Sequence, residues 1–256
     1  MTLWDRAASL PATVPNRRPE LVTLPAEPPD FATLFTFMRD AELRFSTLRM
    51  RIEERTWGAR GEQTLLHDVL IRHPGEARVT SSEPDLGTRG NYELWIGDGT
   101  TVRTYSGIHR IATNRPVRAT LVGVDNPDLP ASSRVYHALT SLPMESLPEL
   151  FLHPAGYLQN VIATGVPTIV TTAVHLGREA IVIHSDHPRV TEVWNDRPDY
   201  AVELTVDRET GAILRLVESV GEDTTRDAVV TLFDVDPTLP PTAFEFKVPP
   251  GATILY

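Results

Sequence analysis

The change of hydrophobic period at Leu48 constrains this chain more than any other feature. Before it, Phe31, Leu34, Phe35, Met38, Ala41, Phe45 and Leu48 recur at spacings of three and four, with Asp40, Glu42 and Arg44 largely between them. That is the pattern of an amphipathic helix, and Asp30 offers it an N-cap side chain. After Leu48 the sequence alternates as Leu48-Arg-Met50-Arg-Ile52 and onward to Trp57, which predicts a strand with one apolar and one wet face. Gly58-Ala-Arg-Gly61 turns the chain, and the returning segment from Gln63 to His73 carries Leu65, His67, Val69 and Ile71 on one side. Pro74-Gly75 then leads into Ala77 to Ser81, and the segments from Asn91 to Ile96 and from Thr101 to Tyr105 flank Gly97-Asp98-Gly99. An Asp-Gly step suits the positive φ angles of a tight hairpin, so these strands form an antiparallel meander.

A different region follows, because Asp125-Asn-Pro-Asp128 breaks the strand pattern. Ser132 or Ser133 can cap a short helix bearing Val135, Leu139 and Leu142, which Pro143 stops. Ser146-Leu-Pro-Glu149 fits a capping box with proline in the first turn, starting a second helix through Leu150 and Phe151 toward Tyr157. Strands resume from Thr168 to Val174, Glu179 to His184, Tyr200 to Val206, Ala212 to Val220 and Ala228 to Val235, and the tail from Phe244 to Gly251 ends the sheet. Ahead of the helix, Pro11, Pro15, Pro19, Pro25, Pro28 and Pro29 leave residues 1–29 as an extended arm. Residues 30–256 then form one domain.

The sequence thus predicts an α+β fold, mainly antiparallel β, of about ten or eleven strands with helical segments before and within the sheet. A sheet of that size curls, and its concave face needs filling. If the helices fill it the core is solid, and if they only cap it an apolar cavity remains for greasy ligands.

Composition narrows the chemistry. The chain has no cysteine, which removes disulfides, thiolate metal sites and thiol nucleophiles. With 24 basic against 34 acidic residues it lacks the basic field of a nucleic-acid binder. No apolar run reaches the length of a transmembrane segment, and the amino terminus has neither basic leader nor apolar segment, so the expected location is the cytoplasm. Lys247 is the only lysine, which points to a GC-rich genome.

The order of several segments resembles a known family. The helix from Phe31 to Phe45 feeding the strand from Leu48 to Arg55, Ile96-Gly-Asp98-Gly99-Thr-Thr-Val102-Arg-Thr-Tyr105, Leu176-Gly177-Arg178-Glu179, Leu204-Thr-Val-Asp207-Arg-Glu-Thr-Gly211 and the closing Phe244-Glu-Phe-Lys-Val-Pro249-Pro250-Gly251 occur in sequence. Over about Pro29 to Ala252 this set resembles the LolA/LolB-like lipoprotein carriers and the related RseB/MucB sensors. The resemblance implies a strongly curved half-open β-barrel, a central two-helix lid, and a hydrophobic cavity for the acyl chains of lipids or lipoproteins. Members of that family act outside the cytoplasmic membrane. A chain without signal peptide reads as a cytoplasmic, actinobacterial-type relative, or as a processed or truncated product.

A lining for such a cavity can be named. Met50, Ile52, Val69, Ile71, Val79, Leu94 and Ile96 are assigned to the concave face, Phe35 and Met38 to the N-terminal helix, and Leu150 and Phe151 to the lid. The same alternation is equally that of a filled core. The expected partner is therefore a lipid or acylated ligand, or, with a filled core, a protein met by the proline-rich arm or at an exposed strand edge. Catalysis has little to stand on. His184-Ser185-Asp186-His187 is the one local cluster with metal or acid-base character, but it sits at a strand end before Pro188, and Gly-x-Ser-x-Gly is absent from the chain. Asp234-Val-Asp236 and Asp125 with Asp128 lack calcium-loop spacing, and Gly97-Asp98-Gly99 opens no helix that would hold phosphate. No enzyme, cofactor or metal is expected. Trp57, Trp95 and Trp194 fit either a ligand mouth or cross-strand pairs.

Overall fold

A computed structural model describes residues 21–59, 61–84, 90–117, 138–186, 188 and 199–255. The start of the arm, Asp125 and Asp128, the first part of the helix expected from Ser132 or Ser133, His187 and Trp194 lie outside the described residues, and the end of that expected helix, Leu139 to Leu142, is not helical.

Asp30 caps the first helix, α1 (Phe31–Arg39), by accepting the Thr33 N–H at 2.8 Å. A 3-10 turn over Ala41–Arg44 follows, and the chain becomes extended at Phe45. It then enters the meander β1 (Thr47–Gly58), β2 (Gly61–Arg72), β3 (Glu76–Ser82), β4 (Glu93–Asp98), β5 (Thr101–Ser106) and β6 (Ile111–Pro116). Ser146 starts α2 (Leu147–Leu152), its hydroxyl accepting the Glu149 N–H while the Glu149 carboxylate accepts that of Glu145. This is a capping-box exchange displaced by one residue. The third helix, α3 (Ala155–Asn160), and a 3-10 turn over Ile162–Thr164 lead into a second meander. It comprises β7 (Val166–His175), β8 (Arg178–Asp186), β9 (Tyr200–Asp207), β10 (Ile213–Val220) and β11 (Asp223–Val235).

The two meanders join through antiparallel pairing of β1 with β11, Leu48 standing opposite Val235 and Met50 opposite Phe233. With β12 (Thr253–Leu255) they give a 12-stranded sheet in the order β12-β6-β5-β4-β3-β2-β1-β11-β10-β9-β8-β7. The expected ten or eleven strands omit β6 and β12. The curl brings β7 and β8 back toward β11: His175 at the end of β7 donates from Nε2 to the Val230 carbonyl at 2.7 Å, across the intervening β8, β9 and β10, and the Arg178 guanidinium lies 5.3 Å from the centre of the Phe233 ring.

Period-two alternation places Leu48, Met50 and Ile52 of β1 on the concave face, with Val69 and Ile71 of β2 opposite them. There they join Leu34 and Met38 of α1, Phe151 and Leu152 of α2, Leu158 of α3, and Ile181, Ile183 and Leu204 of the second meander in one cluster. Burial of this many large side chains, each worth about 1.5–3 kcal/mol, is the main force holding helices to sheet.

The tail is not a closing strand. Asp236 accepts the Ser46 and Thr47 N–H groups at 2.6 and 3.0 Å and turns the chain away from the sheet. Ala243 and Phe244 then cover Leu94, Ile96, Tyr105 and Ala112 on the convex face, forming a second, smaller cluster. Phe246 packs tilted against Tyr105 at 5.4 Å between ring centres, and Arg110 donates to the Pro250 carbonyl at 2.8 Å. The strap ends as β12, paired in parallel with β6 from Thr253 opposite Ile111 to Leu255 opposite Thr113. Pro240, Pro241, Pro249 and Pro250 lack the N–H groups a ladder needs, which is why the Phe-x-Phe alternation crosses the sheet rather than joining it. Among the described residues no helix is long and apolar enough to cross a membrane.

Candidate functional site

The residues assigned from sequence to a cavity lining separate into two groups. Phe35, Met38, Met50, Ile52, Val69, Ile71, Val79 and Phe151 meet in the concave cluster, with Leu150 packed against its edge. Leu94 and Ile96 lie on the other face. The register shows why: Val79, which faces inward, stands opposite Trp95, so the concave position on β4 belongs to Trp95 and its neighbours point outward. Both parities of that segment are apolar, and alternation alone does not choose between them.

The concave cluster is close-packed. Ile52, Met38, Val69 and Phe151 are 0% exposed, and the helices sit directly on the sheet. A cleft of about 850 Å³ lies elsewhere and opens where residues 21–24, Arg44, Phe45, His73 and the β9–β10 turn come together. Arg44 donates to the Val22 and Phe37 carbonyls at 2.9 and 2.8 Å, and Arg208 donates to those of Pro25 and Ala26, so the arm is latched by its backbone. Burial lowers the pKa of Arg44, which stacks over the Phe37 ring at 4.0 Å.

Two buried polar clusters tie helices and sheet together. In the first, Glu42 accepts the Leu139 N–H at 3.0 Å and pairs with His153 Nε2 at 3.0 Å. Burial alone would raise the Glu42 carboxyl, but His153 and the Leu139 N–H outweigh it and hold the group below its ordinary value. Nearby, the buried Thr140 hydroxyl accepts the Gly75 N–H at 2.8 Å and meets His73 Nδ1 at 2.7 Å. Among the described residues, the buried His73 Nε2 on the far side of the ring has no hydrogen-bond partner.

The second cluster is a polar belt across the concave face. Ser81 Oγ lies 2.8 Å from His67 Nδ1, and His67 Nε2 lies 3.1 Å from Glu54. Arg226 donates from Nε to Glu54 at 2.8 Å and approaches Glu218 at 3.8 Å. Glu218 in turn accepts from Tyr200 at 2.9 Å and from Tyr157 of α3 at 3.5 Å. The belt thus runs through β3, β2, β1, β11, β10 and β9 and anchors α3 to the sheet. Burial would raise Glu54, but His67 and Arg226 keep its carboxyl below the ordinary value. Burial and the Glu218 charge push both tyrosines upward, so they stay neutral donors. In the sequence the belt is legible only as a break in parity: Glu54 continues the row Leu48, Met50, Ile52, and His67 precedes Val69 and Ile71 on the inward side.

The remaining candidates hold little chemistry. His184 pairs with Asp186 at 2.9 Å, with the Asp186 side chain 56% exposed. Ser185 is buried and donates to the Ile162 carbonyl at 3.0 Å, a structural bond. Asp236 is occupied with backbone N–H groups, and Asp98 accepts those of Thr100 and Thr101 as a hairpin residue. No group of three or more His, Asp or Glu side chains among the described residues is arranged to hold a metal ion.

No family model and no curated protein matches the chain. Solved structures do. An uncharacterized conserved protein from Thermus thermophilus is 12% identical with a TM-score of 0.48, over 88% of this chain and 99% of that one. MucB is 14% identical with a TM-score of 0.47, over 84% of this chain and 62% of its own, so the present chain spans about three fifths of MucB. A LolA-superfamily protein from Nitrosomonas europaea is 10% identical with a TM-score of 0.32, over 82% of this chain and 96% of that one. The chain is similar to these proteins in fold, and MucB and the LolA-superfamily protein come from the two groups that its element order resembles.

Proposed function

We propose that residues 30–256 form a non-catalytic protein-interaction module of LolA/RseB-like form, its concave face filled by its own helices. The observation that supports this reading is the packing of Phe35, Met38, Met50, Ile52, Val69, Ile71, Val79 and Phe151, each at most 8% exposed and in one cluster. An acyl chain gains about 0.8 kcal/mol per methylene by leaving water. To enter the concave face here it would have to displace Phe151, Leu152 and Leu158, which already hold that gain. A protein partner, met at the surface, requires no such exchange.

Enlarging the core tests the reading. Ile71→Trp adds volume beside Leu48 and Val69 and is expected to cost about 1–3 kcal/mol, seen as a lower urea midpoint. A void at this position would accept the indole without loss, and an unchanged midpoint would contradict the filled core.

A further inference from the structure

The two outer edges of the sheet are treated differently. The edge at β6 is covered by the chain's own β12. At the other end, among the described residues, β7 pairs with β8 alone. From Val166 to His175 there is no Asp, Glu, Lys or Arg, and every residue but Pro167, Ala173 and His175 is β-branched. Sheet edges left to solvent usually carry charge, above all lysine. Here Val166, Val170 and Val174 are 64%, 58% and 74% exposed.

Two features narrow the usable stretch. Pro167 has no N–H to offer, and the register slips between Ile169 and Thr171, which bends the strand at Val170. Residues 171–175 continue beyond the bulge in regular pairing with β8. Their Thr172 carbonyl accepts the Thr171 hydroxyl at 3.1 Å, a local substitute for a neighbouring strand. His175 pins this end of β7 to Val230, so the edge is held straight rather than left to fray.

Charge identifies the partner. Val174 stands opposite Glu179, whose carboxylate is 83% exposed and 3.9 Å from Arg208. The usable strip is thus uncharged and lies beside an exposed carboxylate on a chain of net charge −10. We infer that β7 is a docking edge for an extended protein segment with a short β-branched, uncharged core and basic residues flanking it, added as a thirteenth strand alongside residues 171–175. Main-chain hydrogen bonds supply the affinity, the valine and threonine rows supply cross-strand pairs, and Glu179 with the chain's net negative charge disfavours acidic partners. This inference rests on the protein-interaction reading and names its surface.

The test uses a fluorescent peptide, Lys-Thr-Val-Thr-Val-Thr-Lys, with the whole chain. Saturable binding is expected, with slowed amide hydrogen exchange confined to residues 171–175. Val174→Lys, at an exposed position, should weaken it at least tenfold, whereas Ile254→Lys at the opposite edge should leave it unchanged. A version with glutamate at both ends should bind at least fivefold more weakly. No binding at millimolar peptide, equal binding to Val174→Lys, equal binding of the glutamate version, or protection elsewhere in the chain would each overturn the proposal. The filled core is read separately by Ile71→Trp, so a failed edge and a failed reading give different results.

Discussion

Glu54 and His67 show what one residue does to an otherwise apolar face. Each occupies an inward position of its strand, and each is 8% exposed, so its polar atoms need partners inside the protein. Glu54 has them in His67 and Arg226. Glu54→Leu would leave the guanidinium without its closest carboxylate and is expected to cost about 3–5 kcal/mol, whereas Glu54→Gln keeps the oxygen acceptor and should cost about 1–3 kcal/mol, both read from urea unfolding. His73 and Glu42 set the response to pH. Burial holds the His73 imidazole below its ordinary 6.5, so between that pH and its own titration the unfolded chain binds more protons. Stability therefore falls as pH drops below about 6.5. Glu42 and Glu54, held below their ordinary 4.5, add a steeper loss as pH falls below that value. Urea midpoints from pH 8 to 3 should fall in these two stages, and His73→Phe should flatten the first. A first stage unaltered by that substitution would remove His73 from the account.

At the scale of elements, β1 to β5 and most of β7 to β11 are legible as alternating or β-branched runs bounded by turn residues, even though β8 and β9 are buried on both faces. The helix starts at Asp30 and Ser146 are legible for a similar reason, since both caps act within three residues. Three things are not. On β4 both parities are apolar, so Leu94 and Ile96 are assigned to the concave face when Trp95 occupies it. The tail alternates like a strand, yet its prolines turn it into a strap whose anchor is Phe244, 7% exposed. The third is β12, three exposed residues whose pairing with β6 is set by where the strap ends. Phe244→Ala should therefore cost about 3–5 kcal/mol. Deleting residues 253–255 should lower stability by much less but bare the β6 edge, giving concentration-dependent association in size-exclusion chromatography. If the deletion were as costly as Phe244→Ala, β12 and not the aromatic anchor would hold the strap.

For the whole molecule, the decisive pairing is the one furthest apart in sequence. β1 meets β11 through Leu48 and Val235, and without it the two meanders would be separate sheets. Local alternation shows that each strand has an apolar face but not which distant strand shares it, so the closure of the sheet is invisible at the level of residues. The same limit applies to the candidate site. An apolar concave row is legible in Met50, Ile52, Val69 and Ile71, but whether helices fill it depends on α2 and α3, which lie nearly a hundred residues further along the chain. In the structure they fill it with Phe151, Leu152 and Leu158. The most direct test is native mass spectrometry of the freshly purified protein beside a solvent-extracted sample, each then offered a long-chain fatty acid. The account predicts the bare polypeptide mass in both samples and no stoichiometric uptake. A one-to-one lipid adduct that is lost on extraction and regained on addition would show an open cavity and contradict the filled concave face.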